Sequence, residues 1–510
     1  MFRLIRSITH SVEHAAAADP EVRKFMARHP RLVQFIRRRL TPDERFGLYL
    51  TIGSLTAFFF IYLFFGVVID LIGQRSLIQA DLRTINMMQV LRSPVLNQVM
   101  LFITYLGQPQ IVIAGLAALT LLLLLMRRRY SLWAMLISVG LGEAFVWLAE
   151  QLLRRPRPPL RSALTAAGGF SFPSGHSFVA VSFYGLLTYF LFRFVRGKLA
   201  KTAVVAAGVL LIVAIGFSRI YLGVHWPSDV LASYAAGAAW LTALITVLEI
   251  HRKFGDQAAS KPLLKRPLFL AVGSAVFLSW GFLVVSYYWT HPLKVPEIIT
   301  GEDRVVTAAD IPGRLFDDLP RTSESLTGQP IEPINIILVG TAEQVDRSFR
   351  DAGWLPTDPF TPAHIWQMGL ASVFNRPYPQ GPGVPAIWDS RPNDFAYEQM
   401  TVKRTIRERH HVHIWYTPYV TVSGERVWFG TAHFDRGIKL KTAFIIPTHA
   451  IDPAVDKERG KISADLLQTG EVAAVAESQL VEPLMNRNPA GDYYFTDGKA
   501  AVIFLKNKAE

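Results

Sequence analysis

Cysteine is absent from the 510 residues, which excludes disulfides, cysteine–zinc sites and thiol nucleophiles. Charge is scarce too: Asp, Glu, Lys and Arg make up 18% of the chain against 51% hydrophobic residues, with 33 Phe and 11 Trp. That composition is too apolar for an ordinary soluble protein and predicts membrane spans. No internal repeat or Gly-rich nucleotide loop is found, and residues 1–40 lack the apolar core of a cleavable leader. Acidic residues are outnumbered, 40 against 53 Lys and Arg, for a formal charge of +13. Such an excess suits nucleic acid, anionic lipid or cytoplasmic loops. Because the basic residues here flank apolar runs, nucleic acid is not expected as a partner.

Seven stretches can cross ~30 Å of hydrocarbon as helices: 46–72, 99–126, 131–152, 176–192, 203–218, 229–248 and 268–289. Basic clusters precede the first (Arg37, Arg38, Arg39, Arg45) and follow the second (Arg127–Arg129), fourth (Arg193, Arg196, Lys198, Lys201) and sixth (Arg252, Lys253, Lys261, Lys265, Arg266). Strict alternation puts these clusters on one side, so the amino terminus is expected inside and the residues after Trp289 outside. The expected fold is an all-α polytopic membrane bundle of about seven transmembrane helices plus a soluble α+β domain. Its parts are a basic cytosolic arm (1–45), a membrane domain (46–290), a Pro-rich connector (291–330) and an outward-facing domain (331–510). The arm reads either as an amphipathic segment on anionic lipid or as a solvated extension. A bacterial-type plasma membrane is the expected location.

Three polar clusters fall at one membrane face. They are Arg154-Arg155-Pro156-Arg157-Pro158-Pro159, Phe172-Pro173-Ser174-Gly175-His176-Ser177, and Ser218-Arg219 with His225 and Asp229. Arginine presents a planar fork of donors suited to phosphate. Ser174 and the backbone N–H groups near Gly175, opening a helix, can add an anion cradle. His225 and Asp229 stand at i and i+4, so the carboxylate can hold the imidazole with its other nitrogen free to attack. His176 can protonate the departing oxygen. Taken singly, an arginine cluster at a helix end is usually an interface anchor. Three converging clusters are not so easily explained.

Pro173-Ser174-Gly175-His176, and Ser218-Arg219 followed after five residues by His225 and after three more by Asp229, resemble two motifs of the type 2 phosphatidic acid phosphatase (PAP2) superfamily, whose core is shared with vanadium haloperoxidases. Arg157-Pro158 matches the end of a further motif, but Glu150 stands where that motif has lysine. The resemblance implies that His225 is a nucleophile forming a phosphohistidine, Asp229 its orienter and His176 the acid. It implies phosphate contacts from Arg157, Ser174, Gly175 and Arg219, with no cofactor and no metal. Glu150 and Arg154 are at i and i+4, so Glu150 can hold Arg154, and Arg154 or Arg155 can supply the missing cation. Glu143, on the same helix face, is read as structural.

The carboxy-terminal part reads as mixed strands and helices. A buried strand is expected at 335–340, a helix at 343–352, a hairpin of 411–422 with 427–440, a charged helix at 453–467, and closing strands at 493–495 and 500–505 around Asp497-Gly498. Ala352-Gly353-Trp354, His411-Val412-His413-Ile414-Trp415, Val427-Trp428-Phe429-Gly430, Phe434-Asp435-Arg436-Gly437, and Thr448-His449 through Asp456-Lys457-Glu458-Arg459 resemble the LssY carboxy-terminal domain. His411 and His413, with His433, Asp435 and His449 nearby, suit either hydrogen-bonded histidines or, less readily, a metal.

The expected function is metal-independent dephosphorylation of a membrane lipid phosphate or diphosphate, such as undecaprenyl diphosphate, phosphatidic acid or phosphatidylglycerol phosphate. Two alternatives are a lipid-linked phosphotransferase and a catalytically weak lipid-phosphate binding or export module. The sequence leaves the oligomeric state open.

Overall fold

The computed structural model describes residues 19–41, 47–159, 163–165, 167–254, 263–293, 303–374, 376–401, 407–441, 446–488 and 491–506. The chain divides into two compact units. One comprises residues 1–73 and 94–296, the other residues 74–93 and 297–510.

The first unit is helical. Leu48–Ile72, Arg129–Leu153, Gly175–Phe194, Lys198–Tyr221, Pro227–Phe254 and Pro267–Thr290 are each long and apolar enough to cross a bilayer. At 1.5 Å per residue, a helix of about 20 residues reaches across the hydrocarbon. Pro94–Tyr105 and Pro109–Leu125 pass the same test only together, bent by 49° at their break. The expected second span is thus a bent pair of helices, and the seven read from the sequence are reached when the pair is counted as one span. Pro109 at the start of the second half cannot continue the preceding ladder, which places the break.

Gly175–Phe194 is the central span, with 56% of its apolar window buried, whereas the first and last spans bury 6%. Ala180–Tyr184 within it forms a π-helical turn, a feature that often marks a working segment. Gly237 of the sixth span lies against Val181, where an added Cβ would come within 2.8 Å of the Val181 Cβ. Small residues let helices approach closely in a membrane, where apolar burial alone gives them no reason to associate. Pro20–Arg28 and Pro30–Leu40 are short helices with no buried residue, in keeping with a peripheral arm.

The second unit is built on a nine-stranded sheet. Its centre is the expected hairpin, Arg409–Thr421 with Arg426–Lys441, closed by Gly424 at φ +87°. Ile336–Gly340, wholly buried, joins antiparallel to the second arm of the hairpin and parallel to Lys499–Leu505. Ala342–Asp351 and Asp456–Gln468 are the expected helices. Val345 and Phe349 of the first, with Ile462 and Leu466 of the second, pack on one sheet face with Trp354 and Tyr397.

Three expectations differ from the structure. The closing strands do not pair with each other: Tyr493–Thr496 pairs with Leu484–Arg487, and Lys499–Leu505 with Val472–Gln479 and Ile336–Gly340. The stretch taken as a connector carries strands. Arg304–Val306 lies parallel to Arg409–Thr421, while Thr322–Glu324 and Pro330–Pro333 belong to a separate four-stranded sheet. Its prolines sit in short strands where few ladder donors are needed. Finally, Ser76–Val90, inside the stretch assigned to the membrane domain, is a helix of the second unit. There Arg83 Nη2 meets Glu324 Oε2 at 2.7 Å, and Asn86 Nδ2 donates to the Ser390 carbonyl at 2.7 Å.

Candidate active site

The third span ends at Leu153, where Arg154 adopts a left-handed conformation (φ 43°) that turns the chain out of the helix. The segment beyond returns across the bundle end. Ser171 donates from its backbone N–H to the Arg155 carbonyl (2.9 Å) and from Oγ to the Pro156 carbonyl (3.0 Å). Trp226 Nε1 also donates to Pro156 (2.8 Å). These bonds tie the start of the sixth span to the loop after the third.

His225 is buried at their junction. Its Nδ1 lies 2.8 Å from the Ser171 carbonyl and its Nε2 3.0 Å from Arg157 Nη1. A carbonyl only accepts and a guanidinium only donates. The proton is therefore on Nδ1, and Nε2 presents a lone pair. Burial first, then the guanidiniums of Arg219 and Arg157, hold this imidazole well below its usual range, so it is neutral at pH 7.

Arg157 donates through Nε to the carbonyls of Gly168 (3.0 Å) and Gly169 (3.2 Å) and through Nη1 to that of Val224 (2.8 Å). Arg219, buried, donates through Nη1 to Thr104 Oγ1 at 2.7 Å. Both arginines line a cavity of about 290 Å³ together with Gly175, His176, His225, Glu150, Thr104, Tyr105, Gln108 and Thr165. Two buried polar atoms of that lining, His176 Nε2 and Arg219 Nε, have no hydrogen-bond partner among the described residues.

Of the residues singled out in the sequence, His225, His176, Arg157, Arg219 and Gly175 meet at this cavity. Three do not play the expected part. Asp229 Oδ2 is 3.6 Å from His225 Nδ1, farther than the Ser171 carbonyl. Asp229 instead pairs with Arg155 Nη1 (2.5 Å) and accepts the Trp226 backbone N–H (2.9 Å). Ser174 is fully buried, accepts a bond from Ser177 Oγ (3.0 Å) and does not line the cavity. Arg154 is exposed and donates to the Gln151 carbonyl (3.1 Å), not to Glu150. Nor does Arg155 replace the missing lysine, because Asp229 and Ser228 hold its guanidinium.

Sequence reasoning missed the residues delivered by the broken span. Tyr105 and Gln108 reach the cavity because the chain bends between them. A Cβ on Gly107 would lie 2.9 Å from His176 Cδ2 and 3.2 Å from Ile215 Cγ2. Gly107→Ala is therefore expected to displace His176 and to lower kcat ~10- to 100-fold with little change in KM, since ångström-scale misplacement of a catalytic group is costly. Steady-state kinetics check this, and an unchanged kcat would refute the close approach.

The histidines of the second unit also converge, but on each other. His411 Nε2 is 2.8 Å from His413 Nε2, and His411 Nδ1 is 3.1 Å from Glu398 Oε1. His433, opposite His411 across the hairpin, meets Glu332 at 3.0 Å. Arg409 joins Glu398 (2.6 Å) and Asp435 (3.4 Å). No three acidic or histidine side chains among the described residues are arranged to hold a metal, and the His449 side chain lies outside those described.

This network predicts an acid limit. Burial, then His411 and His433, keep the His413 imidazole well below its usual range. Against burial, Glu332 and Asp435 keep His433 well above it. The first contribution is present above ~6.5, the ordinary value, and is lost as pH falls; the second is present below ~6.5 and is lost as pH rises through the raised value. Amide protection in Arg409–Thr421 of the full chain, the exchange rate taken relative to the intrinsic rate at the same pH, is expected to fall as pH drops from about 6.5 toward 5, and His413→Leu to flatten that dependence. Protection independent of pH in the unaltered chain would refute this.

A PAP2 superfamily model matches residues 131–253, and an LssY C-terminus model matches residues 316–500. Phosphatidylglycerophosphatase B of Bacillus subtilis (strain 168) is 32% identical over 184 residues, 35% of this chain and 87% of the relative. The undecaprenyl-diphosphatase of Sulfolobus acidocaldarius is 26% identical over 204 residues, 37% of this chain and 88% of that one. The crystal structure of a transmembrane PAP2 type phosphatidylglycerolphosphate phosphatase from Bacillus subtilis aligns at 25% identity and a TM-score of 0.34, covering 40% of this chain and 98% of that one. With a relative of this identity covered over most of its length, the chain belongs to the PAP2 superfamily, as a multi-pass membrane phosphatase that also carries an LssY C-terminus domain.

Proposed function

We propose that the protein hydrolyses a lipid phosphate at the outer face of a bacterial-type plasma membrane, through a phosphohistidine on His225 and without a metal. The observation that carries this is the unprotonated Nε2 of His225, beside the Arg157 guanidinium in a cavity where two other buried polar atoms lack partners among the described residues. A phosphate oxygen is the group that would satisfy Arg219 Nε.

In the first step the Nε2 lone pair attacks phosphorus and the bond to the lipid oxygen breaks, with His176 giving that oxygen the proton it takes up beside the bound phosphate dianion. The ring becomes cationic. The Ser171 carbonyl accepts from its Nδ1–H, and Asp229 at 3.6 Å offsets the charge. In the second step water attacks phosphorus, its proton passes to His176, and the N–P electron pair returns to Nε2. Arg157 and Arg219 neutralise the equatorial oxygens throughout, a role that needs positioning and charge.

The names of the two relatives bracket the substrate, a monoester in one and a diphosphate in the other. The test is phosphate release in detergent from phosphatidylglycerol phosphate, phosphatidic acid and undecaprenyl diphosphate, with and without EDTA. Release unaffected by EDTA, with an acid-labile and base-stable phosphoprotein, is expected. Inactivity on every lipid phosphate, or dependence on added divalent metal, would overturn the proposal.

A further inference from the structure

Glu150 is the only acid among the residues that line the cavity, and neither Arg154 nor Arg155 is bonded to it. Arg154 faces away, bonded to Gln151. Arg155 is committed to Asp229 and Ser228. The charge-bearing side chains of the lining are therefore Arg157, Arg219 and Glu150, two guanidiniums against one carboxylate, joined by His176 while it holds the proton meant for the leaving oxygen, with the imidazole of His225 neutral. A phosphate monoester near pH 7 carries close to two negative charges, and the two arginines can match them at the reacting phosphorus. A diphosphate brings a further phosphate on the leaving side. The lining beyond the arginines and histidines offers it Leu101, Tyr105, Gln108, Thr165 and the Glu150 carboxylate, with no further cation. The Tyr105 hydroxyl is already donating to the His291 carbonyl.

We propose that Glu150 is a specificity-determining residue that selects lipid phosphate monoesters with a hydroxyl-bearing leaving group and rejects diphosphates. The proposal rests on the phosphatase reading above. A carboxylate at this place accepts hydrogen bonds from a glycerol-like hydroxyl and repels a second phosphate, so one side chain supplies both attraction and exclusion. Placing like charges together in a cavity partly closed to water is costly, and the cost falls on the diphosphate alone.

The experiment compares kcat/KM for phosphatidylglycerol phosphate and for undecaprenyl diphosphate in the full chain, Glu150→Gln and Glu150→Lys, in one detergent. The unaltered chain is expected to favour the monoester. Glu150→Gln should shift the ratio toward the diphosphate by ~10-fold, and Glu150→Lys by ~100-fold, mainly through a lower KM for the diphosphate. The isosteric Glu150→Gln keeps the comparison usable should Glu150→Lys fold poorly. A ratio unmoved in Glu150→Gln, or both substrates losing equally, would overturn the assignment while leaving the phosphatase reading intact. A preference of the unaltered chain for the diphosphate would do the same. Silence of the unaltered chain toward both would overturn the earlier reading and this one with it.

Discussion

His225→Ala is expected to reduce phosphate release by on the order of 10⁴-fold or more, since it removes the atom that forms the new bond. Binding should survive. Arg157 keeps its bonds to the Gly168, Gly169 and Val224 carbonyls, and Arg219 its bond to Thr104, none of which involves the imidazole. The variant should thus retain lipid phosphate while forming no labelled phosphoprotein. Paired measurements of turnover and equilibrium lipid binding read the two apart. Residual turnover above a few per cent would mean that another group attacks phosphorus, whereas equal loss of turnover and binding would mean that the ring shapes the pocket.

The second large effect concerns stability. Asp229 has no exposed surface, and Arg155, almost as buried, is its closest ionic partner at 2.5 Å. Removing one member of such a pair leaves a buried charge uncompensated, at a cost of about 3–5 kcal/mol. Arg155→Ala should lower the thermal midpoint in detergent accordingly. Asp229→Asn in the same chain should recover much of that loss, because the charge is then gone as well. The double-mutant cycle measures the coupling directly, and additive losses would show that the pair is not what holds this corner together. Turnover should fall in both single variants, since Asp229 also caps the Trp226 N–H one residue after His225.

Much of this was legible in the sequence, for reasons that particular residues make plain. Apolar runs bounded by Arg and Lys announce their own place, so every expected span overlies an apolar helix, with ends that differ by up to six residues. The second one is interrupted at Gly107, whose role is to admit His176, and hydropathy has no means of registering a close approach. The residues meeting at the cavity carry distinctive side chains and could be named in advance. The Ser171 carbonyl could not, because every residue has a carbonyl and only the fold chooses one. Arg154 and Arg155 illustrate a related limit. Adjacent and chemically alike, they are separated by a single left-handed turn that sends one to solvent and the other to Asp229. In the second unit, alternation marks strand positions but not partners, which is why the closing strands expected at 493–495 and 500–505 belong to different sheets.

The helix Ser76–Val90 bears on a matter of parity. It follows the first span directly and packs with strands that come after the last one, so its two contacts, Arg83 with Glu324 and Asn86 with Ser390, bring together points of the chain that must share one aqueous compartment. An even number of traverses has to separate them. The five uninterrupted spans after Ser93 make an odd number, and evenness is restored only if Pro94–Tyr105 and Pro109–Leu125 together go all the way across. On that count the kinked pair is expected to cross rather than dip back, and epitopes fixed to the two ends of the polypeptide should be reached from opposite sides of a sealed vesicle; access from one side would refute the crossing.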